Sequence, residues 1–560
     1  MVVTGTRRRK HWGWGWEDSQ PTRDQLEAVA PSIRERLGFG AEEVEEPVPL
    51  ESIELSAPRI EPPPSLSNVV GADRHARVSH ALGKAYRDVV RGFRGQVDHP
   101  PDLVATPGDE DELERILAWC AEEEIAAIPY GGGTSVVGGV EPRVGDAYRG
   151  VVTIDLRRLD RVLEVDRTSR AARIQAGAQG PVLEDQLREH GLTLRHFPQS
   201  FEFSTLGGWI ATRAGGHFAT LYTHIDDLVE SVRAVTPKGV WESRRLPGSG
   251  AGPSPDRLLL GSEGILGVIT EAWVRVRERP GYKLSCGVPF GSFEAGAEAV
   301  RELSQSDLHP SNCRLLDATE SEVTSAGPAG RSILVLGFES AHHEVGEQMR
   351  TALEVAKDHG GEPGELKGRS APQPSPGALR DDPPARGKPG SDPVGSWRHA
   401  FLAAPYLRDT FVACGVLSDT FETAITWDRF REFHARVMET ARHSIADVCG
   451  APPDGPGAPR LSCRFTHVYP DGPAPYYTVL CPAERGGEVE QWDEIKAAVS
   501  EAVIDAGGTI THHHAVGRDH RPWYDRQRPD RFGEALRAAK RALDPSCVLN
   551  PGVLIDPRGP

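Results

Sequence analysis

No stretch of this chain approaches 18 uninterrupted apolar residues, so the sequence offers no transmembrane helix. Cysteine is scarce and scattered. Cys120, Cys286, Cys313, Cys414, Cys449, Cys463, Cys481 and Cys547 include no C-x-x-C pair, which argues against a disulfide framework or zinc ribbon and fits a reducing cytoplasm. Surplus positive charge is missing as well. A formal net charge of -17 argues against nucleic acid as a partner, because a phosphate backbone needs a basic surface. It leaves room for a small anionic substrate held by a local arginine cluster. The basic run Arg7-Arg8-Arg9-Lys10 leads into HWGWGWED rather than an apolar core, so a solvated arm is expected there and not a secretory signal. No internal repeat is found.

What is present is length and glycine. At 560 residues and 38% hydrophobic content the chain can bury more than one core, roughly two to four domains. Gly 60 and Pro 46 point to many turns. Five stretches are read: an N-terminal helical extension over 1–97, a glycine-dense β-rich domain over 98–280, a mixed α/β domain over 281–500, a Pro/Gly/Ser-rich insertion over 367–396, and a C-terminal segment over 501–560. The insertion has too few large apolar residues to offset chain entropy, so it is expected to be disordered.

The segment from Gly108 to Gly139 carries the most information. Asp109 reads as an N-cap with Glu112 as its box partner, and Leu113, Ile116, Leu117 and Cys120 fall on one helical face. A short buried strand, Ile125 to Pro129, then runs into Tyr130-Gly131-Gly132-Gly133-Thr134-Ser135. Three glycines after a strand let backbone N–H groups converge on an anion, although a tight turn would use the same residues. The loop is neither a dinucleotide fingerprint nor a Walker loop, since no G-x-G-x-x-G opens a helix and no Gly-Lys-Ser/Thr follows. Further on, a hairpin is read over LEVDRTSRAARIQAG, then FPQSFEFSTLGGWIATRAGG (197–216) and GSEGILGVIT (261–270) set small residues beside hydroxyls.

In that order these pieces resemble the FAD-binding domain of the vanillyl-alcohol oxidase and p-cresol methylhydroxylase superfamily. The resemblance implies an α+β fold: a two-lobed FAD-binding domain of the p-cresol-methylhydroxylase (PCMH) type with a mixed α/β substrate cap. It implies FAD contacts at Pro129, Tyr130, Gly131, Gly132, Gly133, Thr134 and Ser135. A second set is Gln199, Ser200, Phe201, Glu202, Phe203, Ser204 and Thr205, and a third is Thr212, Arg213, Ala214 and Gly215. The last is Glu263, Gly264, Ile265, Leu266, Gly267, Val268 and Ile269. Some relatives attach flavin through a histidine in or beside the glycine loop. Thr134 follows the glycines here, so noncovalent FAD is expected.

Four further pieces, HWGWGWED, DTFETAITWDRF (419–430), CRFTHVYPDGPAPYYT (463–478) and THHHAVGRDHRPWYDRQ (511–527), resemble the alkyldihydroxyacetonephosphate synthases. These enzymes exchange the acyl group of acyl-dihydroxyacetone phosphate for a long-chain alcohol in ether-lipid synthesis, without net redox change. By motif, Tyr476 becomes the acid/base for the C1 proton, with Tyr477 the alternative register, and Arg464 binds the substrate phosphate. Arg314 matches a second active-site arginine, and either arginine could instead sit in an ion pair. His512, His513 and His514 are assigned to catalysis, with core packing or metal ligation as the other readings; no metal is expected. On a strand, His512 and His514 would share a face. The rival function is an FAD-linked oxidase or dehydrogenase of a 2-hydroxy acid or other alcohol. The ending Asp556-Pro557-Arg558-Gly559-Pro560 lacks a peroxisomal tail, so a cytoplasmic home is expected, with peripheral membrane contact and a homodimer as open partner expectations.

Overall fold

A computed structural model describes residues 7–218, 224–369 and 404–556. Two sheets build the first lobe. In one, Leu103–Ala105 and Ile125–Tyr130 run parallel to Gly150–Asp155 on either side of it, and Val70–Gly71 closes the edge. Helix Glu110–Glu122 makes the crossover, burying Leu113, Ile116, Leu117 and Cys120 as the spacing predicts. Asp109 caps it through the Glu112 N–H, but the Glu112 carboxylate reaches back to Gly108 N–H at 2.7 Å, one residue before the expected box position. The second sheet is antiparallel, in the order Val162–Asp166, Ala171–Gln175, Val268–Arg275, Val229–Thr236, Gly239–Glu242. Its first two strands are the predicted hairpin.

A seven-stranded antiparallel sheet forms the cap. Its order is Lys367–Arg369, Tyr282–Phe290, Ser332–Ser340, Asn312–Leu316, Arg460–Val468, Pro473–Pro482, Val416–Glu422. Helices Phe293–Ser304, Gly346–Asp358, Trp427–Val448 and Glu488–Asp505 bury their apolar faces, and residues from all four join one core cluster with the sheet. The fold is therefore α+β, as expected. The Pro-rich insertion begins later than read, because Lys367–Arg369 pairs with the cap strand Tyr282–Phe290; its residues 370–396 lie outside the described residues.

The basic arm also departs from expectation. Arg7 and Arg8 are solvated, but Lys10 is buried in an ion pair with Asp409, and Trp12 and Trp14 are core residues. The chain end returns to the first lobe, where Leu549 bridges Ala127 and Asn550 donates to the Glu263 carbonyl at 2.7 Å.

Candidate active site

Between lobe and cap lies a cavity of about 510 Å³. One wall is the glycine loop, Gly131 to Ser135, with Gln199, Ser200, Ser204, Thr205, Thr212, Ala214 and Gly215. Among the described residues, the backbone N–H groups of Gly131, Gly132, Gly133, Thr134 and Ser135 meet no protein acceptor. Five successive donors without protein partners are what a diphosphate would satisfy. Glycine is required there: a Cβ on Gly132 would stand 1.9 Å from the Phe203 carbonyl oxygen, and Gly133 sits at φ +65°. The loop thus fits the diphosphate of FAD.

Several predicted contacts lie elsewhere. Pro129 and Tyr130 belong to the strand behind the loop, and the Tyr130 ring packs on His80. Phe201 packs on Phe197 and Trp209, Glu202 accepts from Trp16 Nε1 at 3.0 Å, and Phe203 lies under Trp14 and Trp16. Arg213 pairs with Asp226. None of the segment Glu263, Gly264, Ile265, Leu266, Gly267, Val268 and Ile269 lines the cavity. Ile265, Leu266 and Ile269 fill the second sheet's core, and Val268 the first sheet's. These residues shape the wall from behind, because the motif's apolar members are more stable buried than facing a ligand.

The cap supplies the opposite wall through the strand period of two. Tyr476, Thr478 and Leu480 face the cavity from Pro473–Pro482, as do Ser418 and Thr420 from Val416–Glu422 and Arg464 from Arg460–Val468. Tyr476 faces the cavity, whereas Tyr477 is fully buried and stacks on Phe421 at 4.6 Å. The Tyr476 hydroxyl donates to Thr420 Oγ1 at 3.0 Å, and the Arg464 guanidinium lies 4.0 Å from the centre of its ring. Burial raises the Tyr476 phenol above its ordinary range, with Arg464 opposing.

Arg464 is also held by the buried carboxylate of Glu320, which restores the charge that burial alone would disfavour. A cavity-lining arginine that the motifs missed is Arg408, whose Nη1 donates to the Lys84 carbonyl at 2.9 Å. It follows closely on the Pro-rich insertion, where composition hides structural signal. Arg314 does not line the cavity. It is buried behind it, donates to the His217 carbonyl at 2.8 Å, and is pushed down to about 9 by burial and by Arg464.

The histidine run is not a strand. Residues 511–515 form a bend in which the N–H groups of His512, His513 and His514 all point at the Glu422 carboxylate, at 2.7, 3.2 and 3.0 Å. The Thr511 hydroxyl adds a fourth bond at 2.6 Å. A second buried carboxylate, Glu263, takes Val516 N–H and Gly517 N–H, each at 2.9 Å. As a result His513 and His514 reach the cavity, while His512 turns away against Tyr469, His224 and His467. Burial holds His514 well below the ordinary histidine range, so it is a neutral proton acceptor. Its ring centre lies 5.5 Å from that of Tyr476. Phenol and imidazole together can relay one proton.

A lobe with a glycine cradle joined to an antiparallel cap defines an FAD-linked oxidase-type protein. Residues 101–243 match the family described as an FAD binding domain, and residues 279–554 match the C-terminal domain of FAD linked oxidases. The solved p-cresol methylhydroxylase shares the fold, with a TM-score of 0.65 at 16% identity over 88% of this chain and 95% of that one. The chain is 32% identical to the alkyldihydroxyacetonephosphate synthase of Dictyostelium discoideum over 490 residues, 86% of this chain and 78% of that protein. A solved alkyldihydroxyacetonephosphate synthase superposes with a TM-score of 0.76 at 26% identity, covering 97% of this chain and 98% of the other. The chain belongs to the alkyldihydroxyacetonephosphate synthase family, and its cofactor is FAD.

Proposed function

We propose that this protein is an alkyldihydroxyacetonephosphate synthase, held with noncovalent FAD in the cytoplasm, where it replaces the acyl group of acyl-dihydroxyacetone phosphate by a long-chain alcohol. One observation carries the reading. A single cavity is lined by the glycine cradle, by Arg408 and Arg464, by Tyr476 with His514, and by the aliphatic side chains Val29, Ile33, Leu37, Val323 and Leu480. A phosphate at one end of a substrate and a hydrocarbon chain at the other suit walls of these two kinds.

Bound FAD, held by the Gly131 to Ser135 loop, would supply an electrophilic ring for exchanging one chain for the other, with no net redox change. This chain's residues do the rest. Arg408 and Arg464 set the phosphate, and Tyr476 and the neutral His514 move the C1 proton and take the proton of the incoming alcohol. The aliphatic wall suits a chain drawn from a membrane surface. The test incubates the FAD-loaded protein with acyl-dihydroxyacetone phosphate and labelled hexadecanol. Ether product and free fatty acid are expected in equal amounts, with no electrons passed to a dye acceptor. Sustained dye reduction by a simple 2-hydroxy acid, without exchange, would establish the oxidoreductase alternative. Acid precipitation should leave the flavin in solution; flavin in the pellet refutes only the noncovalent attachment.

A further inference from the structure

Behind the cavity wall, one ring nitrogen from each of His467, His512 and His513 lies within 4.8 Å of the other two. Their ring centres stand 4.9, 5.5 and 5.4 Å apart, close to an equilateral triangle. Three imidazoles bound at about 2.0–2.1 Å to one tetrahedral ion place their ring centres roughly 5 Å apart. The histidines therefore stand where ligands would, before any ion arrives.

The protonation pattern points the same way. His467 is 2% exposed, and its Nε2 lies 2.8 Å from the Gly216 carbonyl, so Nε2 carries the proton and Nδ1 a lone pair. That Nδ1 is buried without a hydrogen-bond partner. His512 is likewise tied outward, with Nε2 2.7 Å from the Tyr469 hydroxyl and 3.1 Å from His224 Nε2. Its Nδ1 lies 3.2 Å from His513 Nδ1, a separation near the ligand–ligand edge of a tetrahedral site. One nitrogen held by an outer partner and the other turned inward is the pattern of metal-bound histidine. Glu422, with Oε2 3.5 Å from His513 Nδ1, supplies negative charge beside the triangle.

We propose that His467, His512 and His513 form a site for a borderline divalent transition ion, Zn²⁺ foremost. Binding needs inward lone pairs, so the proton between His512 Nδ1 and His513 Nδ1 moves to an outer ring nitrogen, each imidazole stays neutral, and the histidine loop is immobilised. Because His513 also lines the cavity, an occupied site inhibits the enzyme; that consequence rests on the proposed function, whereas the binding does not.

The binding test uses the untagged, FAD-loaded protein and Zn²⁺ in competition with a chromophoric chelator. One Zn²⁺ per chain is expected, weakened at least about 100-fold in His467→Gln and in His512→Gln. The exposed pair His342 and His343 serves as the control, and the double variant His342→Gln/His343→Gln should bind as the parent does. Flavin absorbance reports that each variant is folded. On the unaltered protein, Co²⁺ should give the intense visible bands of a tetrahedral site. Absence of stoichiometric Zn²⁺, parental affinity in both His467→Gln and His512→Gln, or only the weak spectrum of octahedral Co²⁺ would each overturn the proposal.

Discussion

A phenol held protonated by burial and an imidazole held neutral by burial can exchange a proton without either carrying charge at rest. Tyr476→Phe removes the transferable proton and keeps the ring that Arg464 covers. The variant should bind FAD normally and exchange chains about 10²–10⁴-fold more slowly; near-parental turnover would remove Tyr476 from the chemistry. Arg464 has two duties, since Glu320 already holds one side of its fork. Arg464→Lys keeps the charge but loses the planar geometry, so dihydroxyacetone phosphate should bind about 10–100-fold more weakly, at about 1.5–3 kcal/mol for one charged hydrogen bond. Equilibrium dialysis reads the difference, and FAD content should not change. Tyr476 and Arg464 were legible only as positions of the family motif, and the pairing of their two strands sets them opposite each other at the cavity. Arg408, Glu320 and Glu422 were not, because each becomes part of the site only through pairing between segments far apart in the chain.

Among elements, the histidine bend shows where local pattern misleads. Three consecutive histidines read as a strand have two on one side, but a carboxylate that can accept several N–H bonds competes with strand pairing. Glu422 sits 1–2% exposed at the end of its strand and collects those donors from a segment about ninety residues later. Burial alone would raise its pKa; His513, hydrogen-bonded beside it, holds it well below the usual range instead. Glu422→Gln replaces one acceptor oxygen by an NH₂ group facing N–H donors. A loss of about 1.5–3 kcal/mol in unfolding free energy is expected, together with a larger loss of activity than of FAD. Urea unfolding and flavin absorbance measure the two, and an unchanged midpoint would show that the bend holds itself. The glycine loop, by contrast, was visible as three glycines after a strand, although the sequence alone left a tight turn as the other reading.

At the scale of the molecule, lobe and cap are joined by the first residues of the chain. Trp14 N–H donates to both oxygens of Asp409, at 3.1 and 2.9 Å, and Lys10 pairs with the same carboxylate. Trp12 packs edge-on against Phe93 at 5.1 Å, and Trp16 reaches Glu202. Arg9 lies 4.2 Å from the centre of the Phe203 ring and donates to the Gly132 carbonyl at 3.4 Å. The arm thus presses on the back of the cradle that faces FAD, and Phe203 belongs to that support. Its sequence concealed this, because a basic run is normally solvated and only the tryptophans beside it argue for burial. Trp14→Ala empties a core site and exposes the Asp409 carboxylate to water. We expect a loss of about 3–5 kcal/mol in stability. Flavin should also be lost on gel filtration, because the cradle's free N–H groups hold the diphosphate only while the loop behind them is fixed. A variant that unfolds at the parental urea concentration and keeps its flavin would mean the arm merely covers a site that the lobe holds in shape unaided.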